Sequence, residues 1–445
     1  MPNLRLTLLL CATGIAFSQT PTRPTPDYDL LLKGGHVIDG KNKLSAIRDV
    51  AIKDGKIAAV APNIPTVKAA KTVNVTGLYV TPGLVDIHVH VFPGLEKNSY
   101  ASGDWGLYPD GFTLRTGVTT VADAGSSGWR NFEDFKARIV DQSKTRVLAF
   151  LNVVGAGMGS GQIEQNLNDM EVAPATAMAL KYKGLIVGVK SAHFNGKEWT
   201  PYEHAEEIAV AANIPVMIDF GGNVRAGRTL DDLFMKYLRP GDIFTHMYGG
   251  KRGEQDPETK GPSKAMIEGR KKGIIFDVGH GSGSFAWSCA IPLIKAGFKP
   301  DSISTDLHHN SMNSGMKDML VVMDKFLAMG LSLENVILWS TYNPAREIHH
   351  EELGHLSVGA PADVAVLRMV KGNFGFTDQN YARLNGTQRL ECEMTLRDGR
   401  VVYELNGLTR DNWEKVPPNA RPGGDPKWDG LAPQPRRPRP DVPSN

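Results

Sequence analysis

Side chains that can bind a metal ion or move a proton follow a series of short apolar runs along this chain. They stand where each run ends, at His88, His90, Asp123, Asn152, Lys190, Asp219, His246, His280 and Asp306. If the runs are parallel strands of one barrel, their carboxyl ends meet at one mouth, which is where barrel active sites lie. The sequence therefore predicts that these side chains converge on a single site.

The spacing of His88 and His90 suits a metal site. On a strand, residues two apart point to the same face, and divalent ions such as zinc favour imidazole nitrogen. Such a pair is also found as ordinary polar residues, so alone it is a weak signal. His246 and Asp306 end later runs, and Asp306 faces the pair across the predicted mouth. Taken together, these residues favour a metal site over a set of unrelated polar residues.

Lys190 stands at the end of the apolar run 185–189. An unpaired ammonium at a buried strand end is strongly disfavoured by the loss of hydration. The residue must therefore pair with a neighbouring carboxylate or have a functional role, and its own position leaves both open.

The elements that position these residues follow from the apolar runs. Between residues 82 and 348, eight strand candidates alternate with helical stretches, and they begin near residues 83, 117, 146, 185, 214, 242, 273 and 302. This pattern predicts an α/β fold, a (β/α)8 barrel. A doubly wound sheet is disfavoured because no Gly-rich dinucleotide loop follows any of the strand candidates.

The two ends of the chain predict a second, smaller domain. Short strands separated by glycine turns occupy residues 27–81, where Asp54-Gly55 is a hairpin signal. A similar pattern returns near residues 362–403. We predict a small β-sandwich formed from both termini, with segments 19–81 and 349–410 flanking the barrel at 82–348.

The extreme ends have their own signals. Residues 1–18 combine Arg5, an apolar run, and small residues at Ala16 and Ser18, which is typical of a secretory signal peptide. The run is shorter than the roughly 20 apolar residues that a membrane-spanning helix needs. We therefore expect an exported protein, periplasmic or secreted, with no membrane contact after signal cleavage. Residues 411–445 are rich in proline and predict a disordered tail.

Composition narrows the functional classes. The chain has 445 residues with 50 Lys and Arg against 48 Asp and Glu, so no nucleic-acid partner is expected. Three cysteines are too few for a disulfide framework or a cysteine-based zinc site. The expected partner is a small-molecule substrate, and the oligomeric state stays open, a homo-oligomer included.

The motifs at the strand ends resemble those of the amidohydrolase superfamily of metal-dependent hydrolases. The resemblance extends from Tyr28 to Leu405, and its segments look like the dihydroorotase-like amidohydrolase/deacetylase branch: residues 82–90, 117–125, 187–190, 241–246, 276–281 and 302–306. It implies one or two Zn2+ ions per chain. It also implies a hydrolase acting on carbon–nitrogen bonds other than peptide bonds, which uses metal-activated water to cleave an amide, cyclic amide or ester of a small molecule.

The resemblance also implies roles for individual residues. His88, His90, His246 and Asp306 match metal ligands, and Lys190 matches a carboxylated lysine that bridges two ions. Carboxylation would account for the burial of Lys190, since a carbamate is an anion. Asp306 is further expected to take the proton from water and deliver it to the leaving group.

Two of the strand-end residues differ from the usual ligands of the family. The family usually places a histidine at the end of the fifth strand, where this chain has Asp219. Carboxylate oxygen can ligate zinc, so we predict Asp219 as a replacement metal ligand. The alternative is that Asp219 lies behind the ligands and the second metal is weakened or lost. His280 is not a usual ligand, and we predict that it contacts the substrate, where it could stabilise the oxyanion, or that it supports the ligands from behind.

Two other functions stay open. One is a mononuclear deaminase of a nucleobase-like substrate, against which Lys190 argues, because such deaminases do not use the bridging lysine. The other is a catalytically inactive barrel scaffold, which Asp219 keeps open. Loop residues that are candidate substrate contacts, and that also fit as ordinary solvated residues, are His193, Asn195, Arg225, Arg228, Lys251, Arg252 and His308. The basic ones could pair with a substrate carboxylate.

Overall fold

The computed structural model describes residues 26–93, 106–159 and 162–416. The predicted signal peptide at 1–18 lies outside the described residues, and so does the predicted tail from residue 417 onwards. Among the described residues, no helix combines the length and the apolar character that crossing a membrane requires.

Seven parallel strands form the barrel sheet, and neighbours in the sheet are neighbours in sequence. They are β6 (Leu84–Val89), β7 (Val118–Gly128), β8 (Arg146–Asn152), β9 (Ile186–Ser191), β10 (Val216–Ile218), β11 (Ile243–Phe244) and β12 (Ile275–Phe276). Strands β6, β7 and β9 are buried along their whole length, as expected for parallel strands covered by helices.

The eighth strand of the barrel is the segment 302–307. It is held by parallel bridges from Ser302 to Asp277 and from Leu307 to Val89, and the backbone N–H of His90 donates to the carbonyl of Leu307 at 2.8 Å. This segment lies between β12 and β6 and closes the barrel. The predicted (β/α)8 fold is thus confirmed. The eighth strand is irregular, with isolated bridges only, and Asp306 near its end takes a positive φ of 51°.

Helices connect the strands on the outside of the barrel. They are α1 (Phe132–Phe135), α2 (Val172–Lys181), α3 (Thr200–Ala212), α4 (Asn223–Ala226), α5 (Leu230–Asp232), α6 (Lys264–Lys272), α7 (Trp287–Lys295), α8 (Met319–Ala328), α9 (Leu333–Trp339) and α10 (Tyr342–Glu347). Asp318 caps α8 by accepting a hydrogen bond from the backbone of Val321 at 2.9 Å, which satisfies one of the free N–H groups of its first turn.

The second sheet combines strands from both ends of the chain. Its members are β1 (Tyr28–Asp39), β2 (Leu44–Lys53), β3 (Lys56–Ala61), β4 (Ala69–Asn74), β5 (Tyr79–Pro82), β13 (Val364–Thr377), β14 (Arg383–Arg397) and β15 (Arg400–Glu404). Strand β5 pairs with β1 on one side and with β13 on the other. The predicted small β-domain built from both termini is thus confirmed. Because both edges of β5 are hydrogen-bonded, its eight strands form one continuous sheet.

The hairpin predicted at Asp54-Gly55 is confirmed. Strands β2 and β3 pair antiparallel across it, and both turn residues have positive φ, 48° for Asp54 and 75° for Gly55. Positive φ at both central residues matches the right-handed twist of the flanking strands.

Candidate metal and catalytic site

A cavity of about 450 Å³ opens among the carboxyl ends of the barrel strands, a size typical of small-molecule sites. All six of the predicted metal-binding residues line it. The described lining residues are His88, His90, Met158, Gly159, Glu164, Gln165, Lys190, His193, Asn195, Asp219, His246, Ser282, Gly283, Ser284, Asp306 and His308.

Three of these side chains are close enough to share one ion. Ligand atoms of His88, His246 and Asp306 all lie within 4.8 Å of one another. One oxygen of Asp306 is 3.6 Å from Nε2 of His88 and 3.2 Å from Nε2 of His90. Two nitrogen ligands of a tetrahedral zinc ion are about 3.3 Å apart, given zinc–nitrogen distances of about 2.0–2.1 Å. The donor types and their separations fit a zinc ion.

His88 is held with its Nε2 atom towards the cavity. Thr245 donates its hydroxyl proton to Asp277 at 2.7 Å, so its oxygen accepts from Nδ1 of His88 at 2.9 Å. Burial and the positive charge of Lys190 lower the pKa of His88 to about 3. The imidazole is therefore neutral, as a metal ligand must be.

His90 and His246 are oriented in the same way. Nδ1 of His90 is hydrogen-bonded to the hydroxyl of Ser126 at 3.1 Å, and Nδ1 of His246 donates to the carbonyl of Gly279 at 2.5 Å. Partners of this kind fix the ring orientation of metal-binding histidines. Each ring thus keeps Nε2 for a ligand.

Lys190 lies at the base of this group. Its Nζ atom is 3.1 Å from Nε2 of His88, and the residue is 1% exposed. Burial lowers the pKa of Lys190, although the negative charges of Asp219 and Asp306 oppose that shift. A lowered pKa leaves more of the amine uncharged, which is the form that can be carboxylated.

Asp219 uses its two oxygens differently. Oδ1 accepts from Nη2 of Arg252 at 2.7 Å, while Oδ2 lies 3.1 Å from Nε2 of His193 and 3.4 Å from Nε2 of His246. Burial alone would raise the pKa of Asp219, but Arg252 and His246 hold it well below its ordinary value. The side chain is an anion with one oxygen free to face the imidazoles.

His280 points away from the cavity, which fits a position behind the predicted ligands and not a contact with the substrate. Its ring stacks on Phe285, with centroids 4.6 Å apart, and its Nε2 accepts from Nζ of Lys325. It is absent from the described cavity lining. The backbone has positive φ at Gly279 and at Gly281 on either side, and this path directs the imidazole away from the cavity.

Two other polar strand ends have structural roles. The carboxylate of Asp123 accepts from the backbone N–H groups of Val91 and Ser126 at 2.8 and 2.7 Å. The amide of Asn152 donates to the carbonyl of Gly125 at 2.9 Å. Both side chains fix the loops around the predicted metal-binding residues, and neither lines the cavity within the described segments.

The candidate substrate contacts divide into two groups. His193, Asn195 and His308 line the cavity. The four basic candidates lie outside the described lining. Arg225 is exposed, and Arg228 packs among aromatic rings. Lys251 donates to the carbonyl of Gly283, and Arg252 pairs with Asp219.

Sequence reasoning missed the residues that support the ligands from behind. Glu164 is buried and lines the cavity, and it stands in a loop turn with no apolar run to mark it. A Cβ atom on Gly279 would lie 2.2 Å from the hydroxyl of Thr245, and one on Gly281 would lie 2.2 Å from Oδ2 of Asp306. Only glycine fits these positions. In the sequence, the glycines on either side of His280 were the signal that could have indicated these close contacts.

Three cavity residues have a backbone that L-amino acids rarely adopt. His193, His246 and Asp306 have φ of 54°, 65° and 51°. Such strain persists only where the surrounding structure imposes it, and it clusters at functional sites.

Comparison with known proteins agrees with the fold. The sequence model of the Amidohydrolase family matches residues 288–402. A deacetylase of Brucella anthropi is 33% identical over 356 residues, which cover 78% of this chain and 86% of that protein. A deacetylase of Enterococcus faecalis is 31% identical over 84% of this chain and 99% of its own length. A crystal structure of an adenine deaminase superposes with a TM-score of 0.77 at 28% identity, covering 85% of this chain and all of that one.

Fold and site together define a metal-dependent hydrolase built on a (β/α)8 barrel, which acts on carbon–nitrogen bonds. The chain belongs to the amidohydrolase superfamily.

Proposed function

We propose that this chain is a zinc-dependent deacetylase-type hydrolase, which removes an acyl group from a small molecule. The observation that carries the proposal is the group formed by His88, His246 and Asp306, whose ligand atoms lie within 4.8 Å of one another. They lie in a cavity of about 450 Å³, which suits a small substrate. The relatives named as deacetylases support the same class of reaction.

The residues that would hold zinc are His88, His90, Lys190, His246 and Asp306, with Asp219 facing the same space. Lys190, carboxylated at Nζ, would be the anionic ligand that two ions share. Bound zinc polarises a substrate carbonyl and lowers the pKa of water towards neutrality. The donor set of imidazole and carboxylate suits zinc.

Asp306 is the residue that moves the proton. Burial alone would raise the pKa of Asp306, but His88 and His90 hold it well below its ordinary value. The side chain is therefore ionised and can accept a proton from the attacking water. It then delivers that proton to the leaving nitrogen, as general acid–base catalysis requires.

A deaminase is the second candidate. The structural similarity to an adenine deaminase favours it, whereas Lys190 argues for a bridged metal pair. A substrate panel separates the two: N-acetyl amino acids, acetylated hydroxy acids, cyclic ureides and adenine, with acetate and ammonia both measured. The proposal predicts acetate release from an acetylated compound. Ammonia release from adenine alone would favour the deaminase.

The proposal includes export of the protein. It rests on residues 1–18, which have the composition of a signal peptide. Mass spectrometry of the protein from the producing cells should find a mature N-terminus close to Gln19. An intact Met1 on the protein in the cytoplasmic fraction would contradict export.

A further inference from the structure

We propose that His193 is a ligand of the second zinc ion and replaces the fifth-strand histidine that this chain lacks. It binds through Nε2, together with Oδ2 of Asp219. The inference rests on the proposed function, since it assigns one more ligand to the same metal centre.

His193 lies within ligand distance of the carboxylate at the end of the fifth strand. Oδ2 of Asp219 is 3.1 Å from Nε2 of His193. This separation is close to the roughly 3.3 Å between two ligands of a tetrahedral zinc ion. His193 lines the same cavity as the other ligands. Its side chain is 50% exposed, so an ion bound there is accessible from solvent.

The other ring nitrogen of His193 is held by a carboxylate. Its Nδ1 atom lies 3.1 Å from both oxygens of Glu164, a buried carboxylate. Metal-binding histidines almost always donate this second N–H to a carboxylate, a carbonyl or water. The second ring nitrogen of His246 meets a carbonyl, and those of His88 and His90 meet hydroxyl groups. The contact fixes the ring with Nε2 towards Asp219.

Asp219 has only one oxygen that faces the cavity. Arg252 occupies Oδ1 at 2.7 Å and leaves Oδ2 for the cavity, so Asp219 offers one oxygen to a metal. An aspartate is also shorter than a histidine and reaches less far from the strand end. An imidazole from the neighbouring loop supplies the donor that the substitution at this strand removed.

The loop that carries His193 is built to hold it. The side chain of Gln165 donates to the carbonyl of His193 at 2.9 Å and accepts from the backbone of Asn195 at 2.8 Å. His193 itself has φ of 54°, in the left-handed region that disfavours L-residues. The fold holds this residue in an unfavourable conformation that places its imidazole beside Asp219.

The experiment compares zinc content across variants of the full chain. His193→Gly removes the imidazole, and glycine accepts the positive φ. The control is His309→Ala, which removes an exposed histidine of the loop that follows Asp306. Each protein is dialysed against buffered zinc, and bound zinc is counted by mass spectrometry. We expect two ions per chain in the wild type and in His309→Ala, and one in His193→Gly.

A second variant guards against a folding defect. Glu164→Gln keeps the size of the side chain but removes the charge that holds Nδ1, so the second ion should bind about 10–100-fold more weakly. Two ions of unchanged affinity in His193→Gly would overturn the role of His193. A single ion in the wild type would also overturn the role of His193, but it would still agree with a metal-dependent hydrolase. A wild type without zinc at any concentration would contradict the proposed function itself.

Discussion

Replacing Gly279 by alanine tests how the fold positions the metal-binding histidines. Gly279 has φ of 45°, and an L-residue in that region costs about 1–2 kcal/mol. The added Cβ would lie 2.2 Å from the hydroxyl of Thr245, 2.8 Å from Nδ1 of His246 and 3.0 Å from Nδ1 of His88. Both rings and the threonine must therefore shift.

The shift breaks the hydrogen bonds that orient the rings. Nδ1 of His88 bonds to Thr245 at 2.9 Å and Nδ1 of His246 to the carbonyl of Gly279 itself at 2.5 Å. Loss of one such partner typically lowers metal affinity by about 10–100-fold, so a larger loss is expected when two are displaced. Zinc affinity is measured by competition with a chromogenic chelator, with a thermal melt on the same samples.

Gly297→Ala is the matched control. Gly297 also has a positive φ, 83°, but among the described residues no heavy atom beyond its chain neighbours lies within 4 Å of the position of its Cβ. It should lower the melting temperature through the same backbone penalty and leave zinc affinity unchanged. If Gly279→Ala binds zinc as tightly as Gly297→Ala, the rings do not depend on the close approach of this glycine.

Substitutions at four further residues test the remaining predictions. Lys190→Ala should lose zinc loading and activity, with partial rescue by short carboxylic acids. Normal zinc loading with normal turnover would show that Lys190 is not a bridging ligand. Asp306→Asn should slow hydrolysis of an acetylated substrate by about 10²–10⁴-fold with an unchanged circular dichroism spectrum; unchanged turnover would show that Asp306 does not move the proton. Asp219→Ala should reduce bound zinc from two ions to one, whereas Asp219→His should keep two, and equal counts in wild type and both variants would show that Asp219 is not a ligand. Burial raises the pKa of Asp324 from 3.8 to about 8. The free energy of unfolding therefore falls as pH rises through that range, because the unfolded chain releases this proton at lower pH than the folded protein does. Asp324→Asn should raise the melting temperature at pH 8 and not at pH 4, and an equal effect at both pH values would contradict the raised pKa.

The sequence predicted the barrel because its strands are almost entirely buried. A strand covered on both faces reads as a short apolar run, and the polar residue that follows marks the mouth. This logic placed His88, Lys190 and Asp306 around one cavity. The signal is local, so it survives without any knowledge of tertiary contacts.

The direction in which a side chain points could not be read in the same way. His280 ends an apolar run like the others, but the glycines on either side turn its ring towards Lys325. Glu164 is the opposite case, since it belongs to a loop and reaches the cavity only through the tertiary fold. The pairing of Asp219 with Arg252 also joins distant parts of the chain.

The most direct test of the central claim is the hydrolysis of an acetylated substrate, identified from the panel, as zinc is removed and restored. A chelator is titrated into the purified protein, and acetate release is measured against bound zinc in each sample. The account predicts that the rate falls to the background level as zinc is removed and returns when zinc is added back. Full turnover by protein without bound metal would contradict a metal-dependent hydrolase.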